Sequence, residues 1–156
     1  MIFMSMDINK IFGMFGADDN KTPIYSKEDL ETMKKLEEYK ETPMFKIGMF
    51  KKLIFNHISY KDKVISLFKN VKPELEIWEL EEAGEHITFE RGWEFIGQCK
   101  LQDDRWKSSL IIAHDIELET AIKLTMNYFQ GIEEYEKCAY LKKIIDFLEK
   151  NLETKP

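Results

Sequence analysis

Cysteine is scarce in this chain, with only Cys99 and Cys138 among 156 residues. Two are too few for a disulfide framework or a cysteine-based zinc site. Both fall on apolar faces of expected regular elements, so they read as buried free thiols in a reducing, cytoplasmic compartment. Seven glycines and four prolines leave no room for low-complexity linkers. No run approaches the roughly 18 apolar residues that a membrane span needs. Residues 1–20 also lack the basic-then-apolar order of a secretory signal.

The motifs of common enzyme chemistry are missing as well. There is no GxxxxGK[ST] phosphate loop, no GxGxxG turn and no GxSxG elbow. His57, His86 and His114 are isolated, and none belongs to a metal-ligand spacing. The expectation is therefore no catalytic residue, no metal and no cofactor. A formal charge of −6 excludes a globally basic nucleic-acid binder, though not a local basic face.

What is present is a well-supplied core. The chain is 44% hydrophobic, with 11 Phe, 6 Tyr and 3 Trp, which argues against disorder and for one domain over 1–156. Residues 1–25 read as an N-terminal arm, apolar over 1–16 with Ile8, Ile11, Phe12 and Phe15 at helical spacing, then a polar turn containing Pro23. Residues 26–72 read as helical. Ser26 followed by Asp29 forms a capping box for a helix that should reach about Lys40 and stop before Pro43. Leu30, Met33 and Leu36 give that helix only a thin apolar stripe.

Met44 to Lys72 differs chemically from its surroundings. It holds seven lysines against one aspartate, a local +6, interleaved with Phe45, Phe50, Phe55, Tyr60 and Phe68. Lysines beside aromatics can hold a phosphate backbone while rings stack on bases. Lys46, Lys51, Lys52, Lys61 and Lys63 are thus candidates for contact with nucleic acid or an acidic partner. Two short helices, with Phe50, Leu53 and Ile54 and then Val64, Ile65 and Phe68 facing inward, explain the same letters.

From Pro73 the pattern changes to alternation. Leu75 and Ile77, then Ile87 and Phe89, then Trp93, Phe95, Cys99 and Leu101, then Trp106, Leu110 and Ile112 suggest four strands. Turns fall at Glu81–Gly84, Arg91-Gly92 and Asp103-Asp104. The expected fold class is α+β: a small antiparallel β-meander over 73–113 packed against a C-terminal helical hairpin over 115–152, with more helices in the N-terminal half. In the hairpin, Asp115 caps a helix striped by Leu118, Ala121, Ile122, Thr125 and Phe129. The chain turns at Gln130-Gly131. A second helix carries Tyr135, Cys138, Leu141, Ile145, Leu148 and Leu152 along one seam. Tyr140, Ile144 and Phe147 form another row beside it. A helix apolar on two flanks must be covered twice, so Tyr135, Tyr140, Ile144, Phe147 and Leu148 are the candidate interface.

The run EYEKCAYLKKIIDFL resembles the UVR motif, a helical hairpin of nucleotide-excision-repair proteins and of some Clp-protease regulators. Tyr135, Glu136, Cys138, Ala139, Leu141, Lys142, Ile145 and Leu148 occupy its places, while Lys143 stands where the motif has an acid. That resemblance, covering residues 132–148, implies a protein–protein contact module without catalytic residues. One enzyme-like spacing remains, similar to restriction-endonuclease-type nucleases: Glu85 or Glu90 ahead of a strand bearing Gln98-Cys99-Lys100. Gln98 sits where a carboxylate is needed, and a neutral amide holds a divalent cation more weakly. The functional expectation is a non-enzymatic adaptor, inhibitor or immunity-type protein acting on a protein partner or as a homodimer. Nucleic-acid association through 45–72 is the alternative, and a metal-dependent nuclease a remote one.

Overall fold

Pro43 does not merely end a helix; it opens one. In the computed structural model, which describes residues 24–74 and 76–153, Thr42 caps a helix by accepting the Phe45 N–H at 3.3 Å. Pro43 follows in the first turn, where a missing N–H is harmless. The described elements are α1 (Lys27–Lys40), α2 (Pro43–Val71), α3 (Ile77–Ile96), α4 (Asp104–Ala113), α5 (Ile116–Gly131) and α6 (Tyr135–Glu153). The chain divides into two compact units at Glu38/Tyr39. The expected helix around Ile8–Phe15 lies outside the described residues.

In the first unit, the Ser26 hydroxyl accepts the Asp29 N–H at 3.1 Å while the Asp29 carboxylate accepts the Ser26 N–H at 3.0 Å. This reciprocal box starts α1. The hydrogen bonds from Ser26 hold the Asp29 carboxyl below its ordinary pKa. No residue of α1 is buried.

The expected β-meander is not there: every regular element among the described residues is a helix. The α+β expectation is corrected to an all-helical fold. Three local features account for the change. The segment 77–96 holds Glu79, Glu81, Glu82, Glu85, Glu90 and Glu94, which favour helix over strand. Its alternating pairs are short enough to satisfy a period of 3.6 too, and Phe89, Gly92 and Ile96 are the residues that become buried. Arg91-Gly92 and Glu81–Gly84 are helix interior rather than turns. Asp103-Asp104 does reverse the chain, but Asp103 accepts the Arg105 N–H at 2.9 Å and thereby caps α4. Trp106 and Leu110 turn inward from that helix, whereas Ile112 is left 74% exposed.

α2 is one helix of 29 residues rather than two short ones. It runs antiparallel to α3: Phe45 meets Phe95 edge-on, Phe50 lies against Gly92, and His57 meets Phe89. On α2, Pro43, Ile47, Phe50 and Ile54 are buried, all in its first half. Ile47, Phe50 and Ile54 join Ile96 and Leu110 in one core with Leu118, Ile122 and Phe129 of α5 and Leu141, Ile145 and Leu148 of α6. The α5 stripe is buried throughout, whereas the expected α6 seam is buried only at Leu141, Ile145 and Leu148, with Tyr135 and Leu152 at its two ends left exposed.

The α5–α6 connection carries its left-handed residue at Glu133, with φ of 64°, not at Gly131. Cys99 is buried, and burial pushes its thiol pKa up to about 12. It is therefore protonated and unreactive at neutral pH.

Asp115 caps α5 by accepting the Leu118 N–H at 2.7 Å and pairs with Lys51 of α2. Desolvation pulls its carboxyl pKa up. The hydrogen bonds from Lys51 and Leu118 and the Lys51 and His114 charges outweigh that, so the folded pKa lies below the ordinary value. A lowered carboxyl pKa stabilises fully above the unfolded value of about 4 and is lost as pH falls through the folded one. Asp115→Ala is expected to cost about 1 kcal/mol at neutral pH, chiefly through the cap, since the half-exposed ion pair adds little. Urea melts should show that gap at pH 7 and its closure in stronger acid. A gap that stays constant into acid would show that the carboxylate charge plays no part.

Candidate interaction surface

A residue can receive a partner only if its own fold leaves it open. The final helix largely fails that requirement. Ile144 and Leu148 are 1% and 2% exposed. Tyr140 and Phe147 are half-buried against the core, and the Tyr140 ring lies edge-on to Trp93 at 5.3 Å. Desolvation, reinforced by Cys99 in the alkaline range where its thiol ionises, raises the Tyr140 hydroxyl to about 12. Of the five residues expected at an interface, Tyr135 alone is exposed, at 61%. Within the second row of α6, Tyr140 packs on Trp93 of α3, and Tyr140 and Ile144 border a small cavity together with Cys99 and Leu101 of the α3–α4 loop.

The lysines of α2 do not gather on one face either. Lys46 donates to Gln98 at 2.6 Å and pairs with Glu41 at 3.4 Å. Lys51 pairs with Asp115 and, at 3.7 Å, with Glu117. Lys61 reaches Glu85 at 3.9 Å. Lys63 lies 5.5 Å from the centre of the Tyr60 ring, and Lys52 is exposed. Three of the five are thus turned to carboxylates of this chain.

The nuclease-like spacing loses its scaffold, because Glu85 and Glu90 sit on α3 and no strand hairpin carries Lys100. Glu90 instead pairs with Lys137 of α6 at 3.3 Å. Among the described residues, no three His, Cys, Asp or Glu side chains converge as a metal site would require. His57 lies beside Phe89; desolvation lowers its pKa, with Glu85 opposing and Lys61 reinforcing the shift. His86 Nδ1 is 2.9 Å from the Tyr128 hydroxyl, which ties α3 to α5.

No family model, curated protein or solved structure matches the chain. The molecule's own surface is therefore the guide to its function, and one region of it stands apart. Beyond Ile54 on α2 and before Phe89 on α3, no described residue is buried. This outer half of the α2–α3 hairpin displays Ile58, Tyr60, Val64, Leu67, Phe68 and Val71 on one helix and Trp78 and Ile87 on the other, all exposed. Val71 is 75% exposed and Leu67 62%. Between the helices lies an apolar groove of about 280 Å³ lined by His57, Tyr60, Val64, Ile65, Leu80 and Ile87.

An open cleft of about 780 Å³ lies between the start of α3 and the end of α5, bordered by Trp78, Glu79, Glu82, Glu85, His86 and Tyr128. Burial first, and then Glu90, Glu85 and Glu82, raise the Tyr128 hydroxyl above its ordinary pKa.

The inward-facing role expected for Val64 and Phe68 is corrected, since both are exposed. Tyr60, Val64, Leu67 and Val71 follow one another at intervals of four, three and four, the rhythm of a helix seam. Spacing shows that such a seam exists. It does not show whether the chain's own helices fill it.

Proposed function

We propose that the protein works by surface contact with another protein, through the exposed apolar face on the outer half of the α2–α3 hairpin. The observation that carries this reading is the row Tyr60, Val64, Leu67 and Val71, all exposed on α2, beside the apolar groove that Leu80 and Ile87 line from α3. Scattered exposed apolar residues are ordinary, but an exposed row at helical spacing beside an apolar groove marks an interaction surface. Helical faces with anchors at intervals of three and four are a common mode of such recognition. The resemblance of residues 132–148 to the UVR hairpin also points to contact as the activity. Leu141, Ile145 and Leu148, three of the residues that carry it, face this chain's own core.

The test is a paired capture from extract of the native host, using the wild-type chain and Leu67→Glu/Val71→Glu. Both positions are exposed, so the variant should keep its helical circular dichroism and its unfolding midpoint. Capture of specific proteins, or of tagged copies of the chain itself, is expected with wild type and should fall to background with the variant. Equal capture by both would rule this face out.

A further inference from the structure

The apolar row alone would accept many helices; the charges beside it are more selective. From Lys61 to Lys72, the end of α2 carries four lysines and one aspartate. From Glu74 to Glu85, the turn and start of α3 carry six glutamates and no basic residue. The hairpin is therefore basic along one helix and acidic along the other, with the apolar groove between them. Lys63 is held at the α2 rim over Tyr60, and Glu81 lines the α3 wall of the groove.

A helix pair that fits this face must bring acid opposite α2 and base opposite α3. From the charge split and the seam together, we infer that the occupant is a second copy of this chain, an inference that rests on the contact surface proposed above. A two-fold axis parallel to the hairpin places α2 of one copy over α3 of the other. Each basic helix end then faces the partner's acidic one. The contact is the same patch on both subunits, as a closed dimer requires. Every neighbouring pair in the resulting four-helix bundle is antiparallel. The intervals of four, three and four at Tyr60, Val64, Leu67 and Val71 suit packing at the shallow crossing angle of such bundles. A two-fold axis perpendicular to the hairpin but in the plane of the face would instead set α2 against α2, lysine against lysine.

Sedimentation equilibrium over a dilution series tests this directly. Wild type is expected to approach twice 18.6 kDa, with weaker association at higher salt because the rim charges are screened. Two charge-reversed variants then probe the pairing. One carries Lys63→Glu, Lys69→Glu and Lys72→Glu; the other carries Glu74→Lys, Glu76→Lys and Glu81→Lys. Each alone should dimerise at least about tenfold more weakly, since like charges now face each other. Mixed in equal amounts they should pair again, because both contacts of the two-fold are then complementary. Circular dichroism establishes that each variant is folded. A wild type that stays at monomer mass overturns the inference, as does a mixture that pairs no better than its components. Loss of heterologous capture by Leu67→Glu/Val71→Glu would still support the contact surface in that case, so the two readings fail separately.

Discussion

Phe50→Ala is expected to lower the free energy of unfolding by about 3–5 kcal/mol, in the range found for emptying a fully enclosed aromatic site. Phe50 is 0% exposed and packs directly on Gly92 of α3. Its neighbours are poorly placed to refill the space. Ile47 and Ile54 are held one turn away on the same helix, and the facing position on α3 is Gly92, which has no side chain to move. The cost should therefore include the cavity as well as the lost transfer energy. Against a total stability of about 5–15 kcal/mol for a domain, such a loss can bring the fold near its limit. Urea denaturation followed by circular dichroism gives the number. A loss below about 1 kcal/mol would mean that this crossing is not the centre of the core.

Gly92→Leu probes the same contact from the other side and is expected to destabilise by about 1–3 kcal/mol or more. A Cβ at position 92 would lie 3.2 Å from Phe50 Cδ2 and 3.3 Å from Ile54 Cδ1. These contacts are already tight for one carbon; the rest of a leucine has no space. Replacing glycine inside a helix recovers roughly 1 kcal/mol of propensity, which opposes but does not cancel the overlap. Gly92→Ala should come close to balance, because there the same gain meets only a few tenths of an ångström of crowding. The expected order of denaturation midpoints is thus wild type and Gly92→Ala close together, with Gly92→Leu well below. If the leucine variant matches wild type, α2 and α3 are further apart at this point than described.

The two glycines of 77–96 also explain why that segment misled. Gly92 follows Arg91 like a hairpin turn, and Gly84 closes an acidic cluster like a loop. In a single chain read locally, glycine signals freedom of φ. At position 92 it instead supplies absence of bulk, a requirement that exists only because Phe50, 42 residues earlier, arrives there. Trp106 and Leu110 were equally ambiguous, being compatible with one face of a strand or of a helix.

The sequence by itself determined the features whose partners are near in the chain. Ser26 and Asp29 cap α1, and Asp115 caps α5, through bonds spanning three residues. The stripe Leu118, Ala121, Ile122, Thr125 and Phe129 is buried throughout, because helical spacing alone gathers it on one side. Only the tertiary structure decided which apolar rows remain open. Tyr140, Ile144 and Phe147 on α6 and Tyr60, Val64, Leu67 and Val71 on α2 look alike as letters. The first row packs on the chain's own core, with Tyr140 edge-on to Trp93; the second lies past Ile54, the last buried residue of α2. Burial belongs to two surfaces at once, and the second of them is supplied by residues distant in the chain.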